Sequence, residues 1–340
     1  MKSNYRYIVK AFMAMAVIAG TTSCDDFLDR EPMSSISPET YYSTAAQLEA
    51  NLNDEYPNVL PSFGQWTYGI FGEDKGTDNQ IEVNANDRYT QDRWKVPHSE
   101  SDNWKFERIY RINFFLSEAL PKFGEDMSGS QNTISGSVAT IKHYIGEMYF
   151  LRAYEYFKKL QLFGDFPIIN QPLADEMEAL REASKRFPRN EVARFIISDL
   201  DKAYAYMSDV DMATTRINKD AAMLVKSRVA LFEATWLQNF KGTAFVPGGE
   251  GWPGASLHNN YQYPSGNIDN EVKYFLEQAV EASKLVADKY KGSLTENTGV
   301  LQQSADDPSN PYFDMFAQED LSDVKEVLLW RQYARGLSTH

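Results

Sequence analysis

The chain has 340 residues, with 48 acidic and 34 basic side chains and a net charge of −14. A chain of this size buries about 75% of the surface that its unfolded form exposes, so we expect a large core. The negative charge repels phosphate backbones and anionic lipid surfaces, and we therefore expect no nucleic acid partner. Cys24 is the single cysteine, so the fold does not depend on an internal disulfide.

The first 23 residues have the pattern of a lipoprotein signal peptide. Three basic residues occur in the first ten positions, an apolar run follows at 11–20, and small residues precede Cys24. Spanning a bilayer takes ~20 apolar residues, so this run is too short for a transmembrane helix. We predict that Cys24 becomes the lipid-anchored first residue of the mature protein. The alternative is ordinary secretion, because Thr21 stands where such cleavage sites usually carry leucine.

Hydrophobic periodicity predicts a mainly α protein. Almost no alternating strand pattern appears before Glu326. The predicted helices span 43–56, 103–120, 138–163, 191–207, 219–240 and 270–290. Paired helices joined by loops are typical of a tetratricopeptide-like α-solenoid, although no clean repeat of about 34 residues is present.

Helix 138–163 is apolar nearly all round, which is the pattern of a buried helix, and Gly164 predicts its end. Arg152 lies inside this helix. An unpaired buried charge costs several kcal/mol, so we predict that Arg152 is paired, with Asp165 or Glu147 as the local candidates.

Helical spacing also predicts which side chains face the core. In helix 219–240 they are Ala221, Leu224, Val225, Val229 and Phe232. In helix 270–290 they are Val272, Phe275, Leu276, Ala279, Val280 and Leu285. Five aromatic residues at helical spacing are assigned to the core as well: Trp104, Tyr110, Tyr144, Tyr154 and Trp236.

The sequence carries no recognisable catalytic motif. Its four histidines lie far apart, there is no HExxH pattern and no Gly-rich phosphate loop, and a lone cysteine cannot complete a zinc site. We therefore expect no enzyme, no cofactor and no metal. One group of calcium-type oxygen ligands occurs near the C-terminus, but the prolines among them favour a solvated turn. These ligands are Asp306, Asp307, Asn310 and Asp314.

Binding residues are expected first in the unpatterned stretch 57–97, because long irregular loops often carry function. This stretch combines flat aromatic faces with planar hydrogen-bonding groups, which is the chemistry that recognises sugar rings and their hydroxyls. The candidates are Trp66, Asp74, Asp78, Asn79, Arg88, Arg93 and Trp94. The alternative is that the two tryptophans pack beneath the loop.

A second group of candidates lies in a Gly- and Pro-rich insertion that begins near residue 248. Many turn-forming residues indicate an exposed loop, where aromatic side chains favour contact with a ligand or a partner. The candidates are Trp252, Asn259, Tyr261 and Tyr263, with His258 beside them. Core packing and a loop that faces a protein partner remain alternatives.

Several segments, in order, carry a family resemblance. GEMYFLRAYEYFKKLQLFGDFPII at 146–169 resembles the helix signature of the SusD/RagB family of lipid-anchored nutrient-binding proteins of the Bacteroidetes outer membrane. CDDFLDREP at 24–32 resembles the mature N-terminus of that family. WKFERIYRINFFL at 104–116 and PRNEVARFIISDLDKA at 188–203 are similar to further family segments, the former with altered spacing.

The resemblance implies a tetratricopeptide-like scaffold whose long irregular loops form a second subdomain with much of the binding surface. It implies a non-catalytic protein that captures oligosaccharides or other nutrients and delivers them to a SusC-like TonB-dependent transporter. The loop after the first helix contributes to the site of sugar binders in this family, which again points to 57–97. The acidic residues after Cys24 resemble an export signal, so we expect the protein on the outer face of the outer membrane, held only by its lipid. The alternative is a lipid-anchored helical scaffold that binds a protein partner without a small ligand.

These features predict four parts of the chain. Residues 1–23 are the signal peptide, 24–37 an acidic tether, and 38–325 the SusD-like helical domain with its binding loops. Family members are usually longer, and residues 326–340 resemble the start of an incomplete C-terminal region.

Overall fold

A computed structural model describes residues 41–61, 103–124, 126–207, 212–301, 303–304 and 306–333. The predicted signal peptide, Cys24 and the acidic tether lie outside the described residues. Nearly all described residues belong to one compact unit, Ser43–His340.

The described residues form a mainly helical fold, which confirms the predicted fold class. The helices are α1 (Ala45–Val59), α2 (Glu107–Phe123), α3 (Val138–Phe163), α4 (Met177–Ala183), α5 (Arg189–Tyr206), α6 (Lys219–Asn239), α7 (Ile268–Tyr290) and α8 (Pro311–Ala317). One 3₁₀ turn lies at Pro253–Ser256. Within the described ranges no strand forms, and only two isolated bridges occur, Thr44 with Ser135 and Phe166 with Phe187. The short helices α4 and α8 were not predicted, since neither has a full apolar stripe.

Local capping explains where the long helices begin. Thr44 and Gln47 form a reciprocal capping box at the start of α1. The side chain of Ser137 accepts a hydrogen bond from Thr140 N and so caps α3. The side-chain oxygen of Asn218 accepts from Ala221 N at the start of α6. Helix α3 ends at Gly164, whose φ of 68° lies in the left-handed region that favours glycine.

The long helices pack on one another in chain order. Helices α1 and α2 contact α3, α3 packs on α5, α5 packs on α6, and α6 packs on α7. Helix α3 is buried along most of its length. Gly146 permits its close approach to α5, since a Cβ there would lie 2.8 Å from Met207 N and 2.9 Å from Ala203 O.

Arg152 is paired, as predicted, but its predicted partners are wrong. Its Nε donates to Asp199 Oδ2 at 2.6 Å and its Nη2 to Asp199 Oδ1 at 2.8 Å, so the carboxylate comes from α5. Glu147 pairs instead with Arg216, at 2.7 Å between Nη2 and Oε2. A side chain on a buried helix meets its neighbours across the helix interface, and nearness in sequence does not reveal them.

The predicted core faces of α6 and α7 are partly wrong. Leu224 of α6 is 44% exposed, and Leu276, Val280 and Leu285 of α7 are 37%, 62% and 41% exposed. Residues that α6 buries on the observed face include Ala222, Lys226, Ala230, Glu233, Ala234 and Leu237, together with the predicted Ala221 and Val229. Those that α7 buries are Glu271, Phe275, Ala279, Ala282 and Val286. Small residues let helix axes approach closely, so alanine faces form the interface while larger side chains remain outside.

The five aromatic residues assigned to the core divide into three groups. Tyr144 is buried, as predicted. Trp104, Tyr154 and Trp236 are half-buried. The prediction is wrong for Tyr110, which is 52% exposed, because the neighbouring face of α2, with Ile109 and Ile112, is the one that packs inward.

Candidate functional site

The structure describes only one of the two predicted groups of binding residues. Trp66, Asp74, Asp78, Asn79, Arg88, Arg93 and Trp94 lie outside the described residues. Their binding role stays a prediction. The second group lies in a loop at 243–263, between α6 and α7.

Trp252 anchors this loop to the end of α3. Its side chain is only 5% exposed, and its indole N–H donates to Asp165 Oδ2 at 2.7 Å. The ring stacks near His258, with centroids 5.9 Å apart. Asp165 also accepts from the backbone N of Arg189 at 2.9 Å. Burial raises the pKa of the Asp165 carboxyl, and these two hydrogen bonds oppose the shift.

The other predicted residues of the loop contribute hydroxyl groups and one exposed amide. Tyr261 hydrogen-bonds with the Asn190 side chain, whose Nδ2 lies 2.9 Å from the phenol oxygen. Tyr263 donates to Pro247 O at 2.6 Å. Burial raises the pKa of both phenols. Asn259 is exposed. The burial of Trp252 favours the core-packing alternative for that residue, whereas Asn259 stays a candidate for ligand contact.

Two ion pairs lie beneath the loop and fix α5 against its neighbours. Arg189 Nη2 donates to Glu233 Oε2 of α6 at 2.8 Å, and both side chains are buried. Burial raises the pKa of the Glu233 carboxyl, although the charge of Arg189 opposes the shift. Arg194 Nε donates to Glu271 Oε1 of α7 at 2.7 Å. Burial works to raise the pKa of Glu271, but hydrogen bonds, chiefly from Arg194, outweigh it, and the pKa is lowered.

A cleft of about 490 Å³ opens beside Trp252. Its walls come from the end of α3, the start of α5, Trp236 of α6 and the loop, and its lining also includes Arg186, Arg189 and Leu257. Phe245 on the loop side is 61% exposed. Trp236 is covered on one face by the Arg189 guanidinium, 4.1 Å from the ring centroid. This volume lies in the range of small-molecule sites, about 300–1,000 Å³.

The cleft combines exposed apolar surface with hydrogen-bonding groups, which suits a ligand with one apolar face and a polar edge. Sequence reasoning missed Phe245 and Arg186 as members of it. Phe245 is an aromatic residue just before the Gly-rich stretch, so the same loop argument could have identified it from the sequence. No sequence pattern identifies Arg186, because its place beside the cleft follows from how the segment before α5 packs.

In the part of the chain that the structure describes, no group of three or more His, Cys, Asp or Glu side chains is placed to hold a metal ion. The calcium-type residues near the C-terminus organise local turns instead. Asp307 Oδ2 accepts from the backbone N of Gln303 and Ser304 at 2.7 and 2.8 Å. Asn310 Nδ2 donates to Val300 O at 2.9 Å.

The scaffold is a mainly α arrangement of packed helices, with a cleft beside the end of α3 and the loop at 243–263. Among the residues that the structure describes, every helix is too short or too polar to cross a membrane. The SusD-like family described as "Starch-binding associating with outer membrane" matches residues 26–231, more than half of the chain. The chain belongs to this SusD-like family.

Two SusD-like proteins of Formosa agariphila are among its relatives. One is 25% identical over 233 residues, covering 63% of this chain and 41% of the relative. The other is 25% identical over 253 residues, covering 71% of this chain and 46% of the relative. The chain thus spans less than half the length of these relatives.

Solved structures include similar chains at lower identity. A SusD-like protein from Bacteroides fragilis NCTC 9343 aligns with a TM-score of 0.44 and 22% identity, covering 62% of this chain and 39% of that chain. B. fragilis NanU aligns with a TM-score of 0.44 and 16% identity, covering 90% of this chain and 51% of that chain.

Proposed function

We propose that the protein is a surface-exposed lipoprotein that binds glycans and hands oligosaccharides to a SusC-like TonB-dependent transporter. The observation that carries the proposal is the family match over residues 26–231, whose description names starch binding and the outer membrane. The cleft beneath the 243–263 loop supports it, because it offers an aromatic face beside arginine side chains.

Attachment would come from Cys24 alone. The pattern of residues 1–23 supports lipid attachment at this position, and several acyl chains bind a membrane far more firmly than one. The transporter partnership follows from the family resemblance. Co-purification of a SusC-like transporter with the tagged lipoprotein, from detergent-solubilised outer membranes, would support the partnership, and its absence under conditions that retain other outer-membrane complexes would contradict it.

The protein is proposed to bind its ligand without cleaving it. Incubation of the purified protein with each glycan that it binds should release no new reducing ends. Release of reducing ends at a rate that follows protein concentration would contradict this.

Glycan binding is tested by affinity gel electrophoresis against mucin, host and plant polysaccharides. Phe245→Ala removes an exposed face at the cleft, and loss of an aromatic platform is worth on the order of 1–3 kcal/mol by analogy with base stacking, or about five- to a hundredfold in affinity. The matched control is Phe316→Ala on α8, since Phe316 is 71% exposed and does not line the cleft. If no glycan in the panel retards the protein, the proposed function is contradicted. If a glycan retards wild type and Phe245→Ala equally, the binding site does not lie at the cleft.

The protein-scaffold alternative has one specific observation in its favour. Leu276, Val280 and Leu285 leave an apolar surface exposed along α7. Scattered exposed apolar residues are common on soluble proteins, so the family match makes glycan binding the stronger candidate.

A further inference from the structure

A second, larger cavity of about 690 Å³ is lined by other parts of the helical scaffold. It is bounded by α1, α3 and α6 and by the extended segment 326–333, which we name the strap. Its lining residues are all different from those of the cleft beneath the 243–263 loop.

The strap is held in place by hydrogen bonds to the segment that precedes α6. Trp330 N donates to Thr214 O at 3.1 Å, and its indole N–H donates to Thr214 Oγ1 at 2.9 Å. Asn218 Nδ2 donates to Leu328 O at 2.6 Å. Because backbone and side-chain groups fix this wall together, the cavity is a formed feature of the scaffold.

One wall of the cavity presents aromatic and aliphatic surface. The ring of Tyr154 stacks on Phe150, with centroids 6.1 Å apart and an angle of 11° between the ring planes. Leu224 and Val225 of α6 line the same space. Such a wall fits the apolar face of a small ring.

Two polar groups in this cavity are not used by the described parts of the protein. There, the guanidinium of Arg228 forms no ion pair and the hydroxyl of Tyr154 forms no hydrogen bond, although both residues line the cavity. Arg228 is exposed, so its guanidinium is hydrated and accessible to a ligand, whereas the buried arginines 152 and 189 are each paired with a carboxylate. Burial raises the pKa of the Tyr154 hydroxyl while the charge of Arg228 acts against that shift, which places the two groups within electrostatic reach.

Within the described residues, a guanidinium without an ion pair and a hydroxyl without a hydrogen bond line the same cavity, and together they define the ligand by its chemistry. The planar fork of arginine matches a carboxylate with two parallel hydrogen bonds, and a phenol hydroxyl donates a further one. A neutral sugar offers Arg228 only uncharged hydroxyl groups, whereas a carboxylate forms charge-assisted hydrogen bonds with it. The protein as a whole carries a net charge of −14 and repels anions, so a local cation is what lets an acidic ligand bind.

We propose that this cavity is a binding site for an acidic monosaccharide unit, a sugar ring bearing a carboxylate, with Arg228 as the carboxylate ligand and Tyr154 beside it. The inference goes beyond the proposed function, because it adds a second site and a ligand class that the cleft beneath the 243–263 loop does not require. It rests on the proposed function only in taking the ligand to be a sugar.

The test compares two matched pairs of probes, glucuronate with glucose and galacturonate with galactose, by saturation-transfer NMR and titration. Within each pair the sugars differ in the carboxylate at C6. We expect at least one uronate to bind more tightly than its neutral partner, and added salt to weaken that binding. Arg228→Gln should weaken it at least tenfold, Arg228→Lys less, and Tyr154→Phe a few-fold. Arg181→Gln is the matched control, an exposed arginine on α4 outside the cavity, and should change nothing.

The inference would be overturned if uronates and neutral sugars bind equally. It would also be overturned if Arg228→Gln binds uronates as tightly as wild type does. Melting temperatures of the variants check the fold, and little change is expected because Arg228 is exposed. The two proposals fail separately. If Phe245→Ala loses polysaccharide binding while Arg228→Gln leaves uronate binding unchanged, only the acidic site is refuted. If uronate binding depends on Arg228 and no polysaccharide is bound, only the proposed function is refuted.

Discussion

Replacing Asp199 with alanine should strongly destabilise the scaffold. Asp199 is fully buried and Arg152 is 3% exposed. The carboxylate accepts from two nitrogens of the guanidinium, at 2.6 and 2.8 Å, while the third donates to Asn113 Oδ1 at 2.9 Å. The variant therefore leaves a buried positive charge with only neutral partners.

The expected loss follows from this geometry. Removing one partner of a buried ion pair costs about 3–5 kcal/mol, because the remaining charge stays desolvated. Replacing both partners with apolar residues, as in Arg152→Met with Asp199→Leu, removes that charge and should cost less than Asp199→Ala alone. An exposed pair gives the control, since Lys185→Ala breaks only the surface contact with Glu182 and should cost about 0–1 kcal/mol.

Urea unfolding followed by circular dichroism measures these differences, and an unchanged slope of unfolding free energy against urea shows that only stability has changed. A loss below about 1 kcal/mol for Asp199→Ala would refute the reasoning, because Arg152 would then have an equivalent way to satisfy its charge. A double variant less stable than Asp199→Ala would refute it as well, since packing and not charge would then dominate.

Three further predictions concern other parts of the chain. Glu271→Gln should lower the free energy of unfolding by about 1–3 kcal/mol at pH 7. Because the folded pKa of Glu271 lies below its ordinary value of 4.5, the ionised carboxylate stabilises the protein above pH 4.5, and this stabilisation is lost as pH falls through the lowered pKa. The difference in melting temperature between wild type and Glu271→Gln should therefore shrink in acid, and a difference that stays constant with pH would contradict this prediction. Trp66→Ala and Trp94→Ala should each lower glycan affinity roughly ten- to a hundredfold with little change in melting temperature. If the two tryptophans pack in the core instead, each change would cost ~3–5 kcal/mol of folding free energy and lower the melting temperature strongly. Cys24→Ala should release the protein from the membrane fraction, and wild-type protein should be removed by protease added to intact cells; equal membrane retention of the variant would contradict the lipid anchor.

Much of the local structure was predictable because its causes are local. Helix α3 spans the predicted 138–163, since a serine cap begins it and Gly164 ends it. The start of α6 at Lys219 likewise follows from its asparagine cap. Predicted helix ends differ from the observed ones by a few residues where no such signal stands, as at the start of α2.

The candidate site was predictable only in part. The Gly- and Pro-rich composition correctly located a loop between α6 and α7, but its tryptophan turns inward because Asp165, 87 residues earlier in the chain, accepts the indole N–H. The cavity bordered by Arg228 also joins residues from α1, α3, α6 and the strap, which no local pattern connects.

The sequence by itself determined the six long helices, the family and the absence of an internal disulfide, because capping, periodicity and residue counts act without reference to distant contacts. Only the tertiary structure decided that Arg152 pairs with Asp199, that Leu276 and Val280 of α7 face outward, and which polar groups among the described residues lack a partner there. Periodicity defines which residues share a helix face. It does not define which neighbour covers that face, since that choice depends on how closely small side chains let the helices approach.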